Sequence, residues 1–419
     1  MSSTKHVVIV DAYPTNRRLT PKFQEAGYQV VRVQSTAEVP AAYATNFDLS
    51  PYAGNVIHLG DLDATVDAVR AYAPEAVLAG GETGVELADA LSQAMGLPTN
   101  GTELSAARRD KFAQIETLRA AGLRAADQIL AETPEELARW HRQRGGRIVV
   151  KPNRSAAGDG VTFCDTPEQS MAAHRALLGA QNALSFANEA VVAQEYLVGG
   201  EYVVNTVGRD GLHHVTDLWK YEKLTANGIT DLTHGLRLLP RHGDVQDRIV
   251  PYALEVLDAL GIAHGAAHLE VKLTPDGPCL VEVGARIAGL DMPYYAQLCT
   301  GESQLDWLVD AYLRPDRFQA RWKEDYRIDR HFVSAMAVST MEGELADYPH
   351  LSRVEELETL MEIRTLVAPG KPLRRTIDDM TCPMIVNLMH PVADLVQRDF
   401  ATFLHLDGPD FYALAREAR

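Results

Sequence analysis

The sequence predicts a chain of mixed α/β and α+β class, and three observations predict it. Between Val7 and about Gly101, apolar strand-like runs alternate with helical ones, which implies a parallel sheet with helices on both faces. From His268 to Leu290 the stretch HLEVKLTPDGPCLVEVGARIAGL reads as a β-hairpin, two alternating segments joined by Thr-Pro-Asp-Gly-Pro. From His331 onward short strand runs (FVSAMAVS, MEIRTLV, MIVNLMH), a turn signal at Pro369-Gly370 and a closing helix read as a small α+β unit.

Taken in order, VVIVD is a buried strand, Asn16 to Gly27 a helix ending in glycine, and YQVVRV a second strand. NVIHL, a helix capped by Asp61, AVLAG and a helix from Gly84 to Gly96 follow. The loop Ala79-Gly80-Gly81-Glu82-Thr83 lies at the carboxyl end of a strand, where ligands bind in such sheets, so Glu82 is a substrate candidate. The plainer reading makes it a dipole partner in the first turn of a helix. No G-x-G-x-x-G follows the first strand and no P-loop occurs, which excludes those two nucleotide sites. In ELSAARRDKFAQIETLRAAG, Phe112, Ile115 and Leu118 share one helix face; Lys111 lies elsewhere beside Arg108 and Arg109 and reads as an exposed basic turn.

A helix from Pro134 to Arg144 precedes the strand RIVVKP and the loop NRSAAGDGVTF. Lys151 followed by small residues offers one ammonium and several free backbone N–H groups, the ingredients for gripping a polyphosphate; a plain hairpin turn fits the pattern as well. After a helix from Pro167 to Leu178, Val191–Leu197 and Glu201–Asn205 are strands around a Val-Gly-Gly turn. Extended backbone there, beside an apolar pocket, can present one N–H and one C=O to a purine edge, with Glu201 placed for ribose hydroxyls. His213 to Pro240 is polar and irregular after VTDLWKYEK; holding Lys220, Lys223, Asp231, His234 and Arg237, it reads as a mobile substrate loop. A helix from Gln246 to Leu260 leads into the hairpin, and helices near Met292–Leu298 and Ser303–Leu313 follow it.

Within the hairpin, Leu269, Val271, Leu273, Cys279, Val281 and Val283 make an apolar face, while the other carries His268, Glu270, Lys272 and Glu282, with Arg286 just beyond. A turn centred near Asp276 sets Glu270 opposite Glu282, which is costly unless a cation lies between them. Mg²⁺, which takes few protein carboxylates and shares its shell with phosphates, satisfies that need. A single bulge shifts the parity and separates the acids, so the hairpin alone leaves a metal site and a solvated face both open.

Composition narrows the class. The chain of 419 residues has room for two to four domains, and 46% hydrophobic with 23% charged residues is ordinary for a soluble globular protein. Lys+Arg 40 against Asp+Glu 57 gives a net charge of -17, which argues against nucleic-acid or anionic-membrane partners and requires any phosphate to be held by a local basic cluster. Cys164, Cys279, Cys299 and Cys382 are dispersed, giving neither a thiolate zinc motif nor a disulfide framework, so a reducing cytoplasm is expected. The start MSSTKHVVIVDAYP reads as a first strand, not a signal peptide, and no run approaches membrane-spanning length.

The order of these features is more specific than any one of them. A helix lysine, strand-Lys-Pro with a small-residue loop, Gln-Glu-Tyr-Leu with Glu201, Glu270 and Glu282 on paired strands, then Arg286: this series resembles the ATP-grasp ligases over about residues 1 to 320. The resemblance implies an ATP-grasp fold: a Rossmann-like pre-ATP-grasp domain at 1–102, the ATP-grasp domain at 103–330 with a mobile lid at about 124–196, and a C-terminal α+β domain at 331–419. It implies that Lys111 and Lys151 contact the ATP phosphates, and that the loop with Ser155, Ala156, Gly158 and Gly160 closes over them. Gln194, Glu195, Tyr196 and Leu197 become the adenine hinge and Glu201 the ribose ligand. Glu270 and Glu282 become ligands of Mg²⁺, with Mn²⁺ as a substitute. Arg286 and Lys151 become the catalytic cations. Beside that resemblance, Glu82, Asp231, His234, Arg286 and Gly289 are expected on the substrate side, with Asp231 and His234, polar residues of a substrate-facing stretch, placed to bind the α-amino group of the acyl substrate or to deprotonate the incoming amine. Many members read Glu-x-Asn-x-Arg, with Asn as a further metal ligand; here Gly284 takes that place, which leaves open whether one or two ions bind.

The form Glu-Val-Gly-Ala-Arg-Ile-Ala-Gly resembles the branch that includes bacterial L-amino-acid (dipeptide) ligases. That branch implies small-molecule carboxylate and amine substrates, amino acids among them, joined through an acyl phosphate with release of ADP and phosphate. Many relatives are dimers, so the resemblance allows a homodimer. Two other readings stand beside it: a carboxylase or formyl-transfer enzyme using bicarbonate or formate, and a non-catalytic ATP-binding regulatory protein. Binding alone would not need Arg286.

Overall fold

The structure is a computed structural model that describes residues 4–13, 17–40, 43, 48–155, 158–182 and 186–415. Its first unit follows from the valine-rich strands: β1 (His6–Val10), β2 (Gln29–Gln34), β3 (Gly54–Ile57) and β4 (Ala76–Ala79) form a parallel sheet in the order β3-β2-β1-β4. Val7 and Ile9 pack one way onto Leu19, Phe23 and Trp307, while Val8 and Val10 pack the other way onto Val66 and Leu91, so both faces are covered. The helix expected from Asn16 runs Leu19–Glu25, and Asn16 itself lies outside the described residues. The strand order reverses between β1 and β4, and the crevice at their carboxyl ends holds Asp11 and the Gly80-Gly81-Glu82 turn. Gly80 is needed there, because a Cβ would come 2.5 Å from Ile9 Cγ2.

A second unit holds β5 (Gln128–Ala131), β6 (Ile148–Pro152), β7 (Thr162–Cys164) and β8 (Val191–Glu195), antiparallel in the order β5-β8-β6-β7. Its two helices, Pro134–Arg144 and Pro167–Leu177, start at threonine caps followed by proline and pack on Ile148, Val150 and Ala193.

The largest sheet is antiparallel. It comprises β9 (Gly200–Arg209), β10 (Leu212–Ala226), β11 (Ile229–Leu239), β12 (Gly265–Thr274), β13 (Gly277–Gly284), β14 (His331–Met336), β16 (Leu360–Thr365) and β18 (Met384–His390) in the order β13-β12-β9-β10-β11-β14-β18-β16. The strands of the C-terminal unit therefore continue this sheet. The rest of that unit adds a small sheet of β15 (Gly343–Asp347), β17 (Pro372–Leu373) and β19 (Ala413–Leu414), with the helix Ala393–Leu406 over the core.

Two expectations are corrected here. The stretch 213–240 is not a mobile loop but the pair β10 and β11 in mid-sheet. Leu218, Trp219, Tyr221, Leu236 and Leu238 are its buried anchors. Its charges are not free in solvent: Lys220 Nζ lies 2.8 Å and Arg237 Nε 3.1 Å from Glu222. Register shifts at Glu222/Lys223 and Leu224/Ala226 break the alternation that marks a strand in sequence. In the hairpin β12–β13, Thr274 pairs with Gly277, so the turn is centred one half-step earlier than expected, and a bulge at Val281 restores the offset. Leu280 takes the core position with Val283, whereas Cys279 and Val281 turn to the other face beside Leu197.

Candidate active site

The bulge at Val281 brings the acids together. Glu270 pairs with Glu282 across the strands, which Val281 would otherwise oppose. Glu270 accepts from Tyr221 Oη at 3.1 Å and lies 3.4 Å from His268 Nε2. Burial alone would raise its pKa, but His268, Lys223 and Tyr221 hold it down at about 2. Glu282 meets Lys111 Nζ at 3.0 Å, and the same ammonium donates to the Ser155 carbonyl at 2.9 Å.

Lys111 is therefore not part of an exposed turn, and neither are its neighbours, since Arg108, Arg109 and Lys111 are all buried. Arg108 is a strut, bonded to Asp89 at 2.7 Å and to four backbone carbonyls. Lys151, at the end of β6, is buried; burial and the charge of Lys111 lower its pKa to about 8 against the pull of Glu282, Glu270 and Glu201. Beyond it, Ser155 is buried and Gly158 and Gly160 both adopt φ +72°, while Ala156 lies outside the described residues.

Leu197 is buried with Ala126 and Cys279, with Val281 packed against them, and makes an apolar patch on the face that carries Lys272 and Glu270. Gln194 bonds Gln128 at 2.9 Å, and Glu195 is taken by Arg124 and Arg144. Tyr196 Oη donates to Asp231 at 3.0 Å, and Asp231 also pairs with Lys272. Glu201 lies 3.2 Å from Lys223 and 3.8 Å from Lys272. Asp231 thus sits at the expected hinge. His234 stands apart: it stacks on Phe400 at 5.8 Å, with its Nδ1 buried and unpartnered among the described residues, on the opposite sheet face from Glu270.

The third cluster joins the first unit to the hairpin. Arg286 Nε donates to Glu82 Oε2 at 2.9 Å, and Arg109 donates to the other oxygen. Burial would raise the Glu82 pKa, yet Arg109 and Arg286 pull it down to about 2. Glu82 is a bridging counter-ion, more than a dipole partner. Gly284 makes room for it, since a Cβ there would lie 2.9 Å from Glu82 Oε2 and 3.1 Å from Arg286 Cζ. At Gly289 a Cβ would meet nothing; Leu290 and Asp291 after it both take φ +55°, with Asp291 tied to Arg17 at 3.2 Å and Arg18 at 3.4 Å.

Sequence reasoning placed Arg109 in an exposed turn and Lys223 in a loop, and missed Tyr221 and Asp379, the last a C-terminal-unit carboxyl that burial lifts to about 6 against the pull of Lys223. Only the period-2 face of β10, had it been read as a strand, could have flagged Tyr221 and Lys223. Among the described residues no group of three or more His, Cys, Asp or Glu could hold a metal by itself, and no helix is long and apolar enough to cross a membrane.

Against known proteins, the description "ATP-grasp domain" matches residues 146–293. The chain is 31% identical to Dapdiamide A synthase of Enterobacter agglomerans over 99% of its own length and 98% of that protein. Its fold matches that of an L-amino acid ligase from Bacillus licheniformis, with TM-score 0.74 at 18% identity, covering 99% of this chain and 100% of that one. It also matches that of carboxyaminoimidazole ribonucleotide synthase from Aspergillus clavatus in complex with ATP, with TM-score 0.66 at 18% identity, covering 97% and 99%. At those identities the two structures speak to the fold alone.

Proposed function

The chain belongs to the ATP-grasp carboxylate–amine ligases, ADP-forming enzymes that make C–N bonds, and from that premise we propose that it joins an amino acid to a second amino acid or amine through an acyl phosphate. The observation that carries the assignment of the site is the Glu270–Glu282 pair in register, flanked by the buried ammonium groups of Lys111 and Lys151.

The donor set fits magnesium. Two carboxylates share one face at one cross-strand step, a lysine ammonium 3.0 Å from Glu282 stands where a cation is wanted, and the protein supplies too few oxygens to complete a shell without phosphates. Glu270 and Glu282 would hold it, and when bound it would offset charge on the phosphates; Mn²⁺ suits the same oxygens.

The remaining steps belong to the chain. Leu197, Cys279 and Val281 receive the adenine, Glu201 the ribose, and Lys111 and Lys151 the phosphates. The lid, residues 124–196, closes the loop 155–160 over them and excludes water that would hydrolyse the acyl phosphate. A substrate carboxylate oxygen attacks the γ-phosphorus as its bond to ADP breaks; the amine nitrogen then attacks the acyl carbon as phosphate leaves, and the amine proton departs to solvent or phosphate. Arg286, held by Glu82, stabilises the charge that gathers on the carbonyl oxygen. No side chain forms a covalent intermediate.

An ADP-release screen of amino-acid pairs, with mass spectrometry of the product, tests this reading. Amide product with stoichiometric ADP is expected, and ADP formation that depends on bicarbonate or formate instead would overturn it. Glu282→Gln is expected to fold and to lose ADP formation; unchanged turnover would remove the metal assignment.

A further inference from the structure

A second bulge sets a second acid on the same face of the large sheet. The register of β9 and β10 shifts between Val215 and Asp217, which brings Asp217 opposite Asn205. Asn205 in turn lies opposite His268 of β12. The three side chains form one row across adjacent strands, and His268 stands two residues before Glu270, hence on the same face. Asp217 and Asn205 are 0% exposed and His268 is 7% exposed.

The polarity of the row is determined. Trp219 Nε1, which can only donate, lies 2.5 Å from Asp217 Oδ1; Asn205 Nδ2 lies 2.5 Å from the same oxygen, and Thr216 Oγ1 donates to Oδ2 at 2.8 Å. Asp217 is thus an acceptor toward three donors, and the Asn205 amide has its NH₂ on Asp217 and its oxygen on His268 Nδ1, at 2.8 Å. Nδ1 therefore donates, and the ring is pinned with Nε2 facing Glu270 Oε1 at 3.4 Å, so it donates to both acceptors in its imidazolium form. Asp217 makes no ion pair with Lys or Arg among the described residues, so its burial rests on these donors and on the charge of the nearby His268. Placing such a carboxylate in a sheet interior that leucine could fill costs stability. A row that ends on Glu270 gives it a use, as supporting hydrogen bonds do around metal-binding carboxylates.

We propose that Asp217, Asn205 and His268 are positioning residues: the relay fixes the orientation of the Glu270 carboxylate for the nucleotide-bound metal. The inference rests on the magnesium reading above. Its test is Mn²⁺ binding to the ADP-loaded protein, read from the electron paramagnetic resonance of free Mn²⁺, beside metal-free ADP binding and thermal unfolding of the nucleotide-free protein. Asn205→Asp, isosteric but with an oxygen where Asp217 needs a donor, is expected to bind ADP normally without metal and to weaken Mn²⁺ binding about tenfold or more. His268→Leu is expected to do the same, and His268→Gln, which keeps a donor for Glu270, to restore most of the affinity. This second pair decides the matter should Asn205→Asp fail to fold. Wild-type Mn²⁺ binding in His268→Leu, or in a folded Asn205→Asp, overturns the relay. Glu282→Gln, measured in parallel, separates the two readings: if it loses Mn²⁺ while the relay variants keep it, only the relay falls, and if it too keeps Mn²⁺, the metal site and the relay fall together.

Discussion

Replacing Glu82 by glutamine keeps the shape of a side chain that bridges two guanidinium groups and removes the charge that makes their burial tolerable. The pKa of Glu82 falls from 4.5 to about 2, with Arg109 and Arg286 overcoming a burial effect that acts the other way. A difference of that size favours the folded protein by about 3 kcal/mol at neutral pH. Because the folded value lies below the unfolded one, this contribution is present in full above the unfolded value of 4.5 and is lost as pH falls toward about 2. Thermal unfolding of wild type and Glu82→Gln at neutral pH is expected to differ by roughly 3–5 °C, with the gap shrinking near pH 3. Steady-state turnover adds a second readout. Arg286 loses its Nε anchor, so kcat is expected to fall by about a hundredfold, with KM for the amino acids changed far less. Had Glu82 held a substrate ammonium instead, the melting temperature would be spared and KM would rise. A variant that unfolds within a degree of wild type at every pH would refute the argument.

Three other outcomes follow from the same geometry. Burial and Lys111 hold the Lys151 pKa at about 8, so ATP affinity is expected to weaken as pH rises through that value; Lys151→Arg, whose charge persists, should flatten the profile in an ATP titration, and a wild-type profile that is already flat would contradict the placement. Gly284→Ala drives a Cβ to 2.9 Å from Glu82 Oε2, so turnover should fall by about a hundredfold while ADP binding persists, and full turnover would show that the Glu82–Arg286 pair can be dispensed with. His234→Ala should leave kcat unchanged, because the ring packs on Phe400; a large loss of kcat at unaltered melting temperature would return His234 to the reaction centre.

The parts legible in the sequence were those with an uninterrupted pattern. VVIVD and AVLAG are unbroken apolar runs, and the helices opening at Pro134 and Pro167 carry a clear start signal, and the structure follows them closely. The stretch 213–240 hid because its charges satisfy one another across strands and its register slips twice, so neither hydropathy nor parity marked it. Arg108, Arg109 and Lys111 misled for a related reason. A basic run reads as solvated unless its counter-ions are known, and Asp89, Glu82 and Glu282 are 19, 27 and 171 residues away. The opposition of Glu270 and Glu282 came from a turn centred half a step late, and the bulge at Val281 compensated for it. The same half-step undid the expected apolar face by turning Cys279 and Val281 toward Leu197, while Val283 beyond the bulge kept its core position.

Gly284 shows how a local departure acquires meaning only in three dimensions. In sequence it reads as a lost metal ligand. In space the volume a larger side chain would need is filled by the carboxylate of Glu82, which arrives from the switch-point crevice of the first sheet, more than 200 residues earlier, and anchors Arg286. The exchange ties Arg286 to the first unit, and on the proposed reading it leaves Glu270 and Glu282 as the acids that face the nucleotide. Any movement of that sheet relative to the hairpin must therefore move Arg286 as well. On the proposed reading the first unit thereby joins the catalytic apparatus, and the proposed relay behind Glu270 would carry correspondingly more of the metal's positioning.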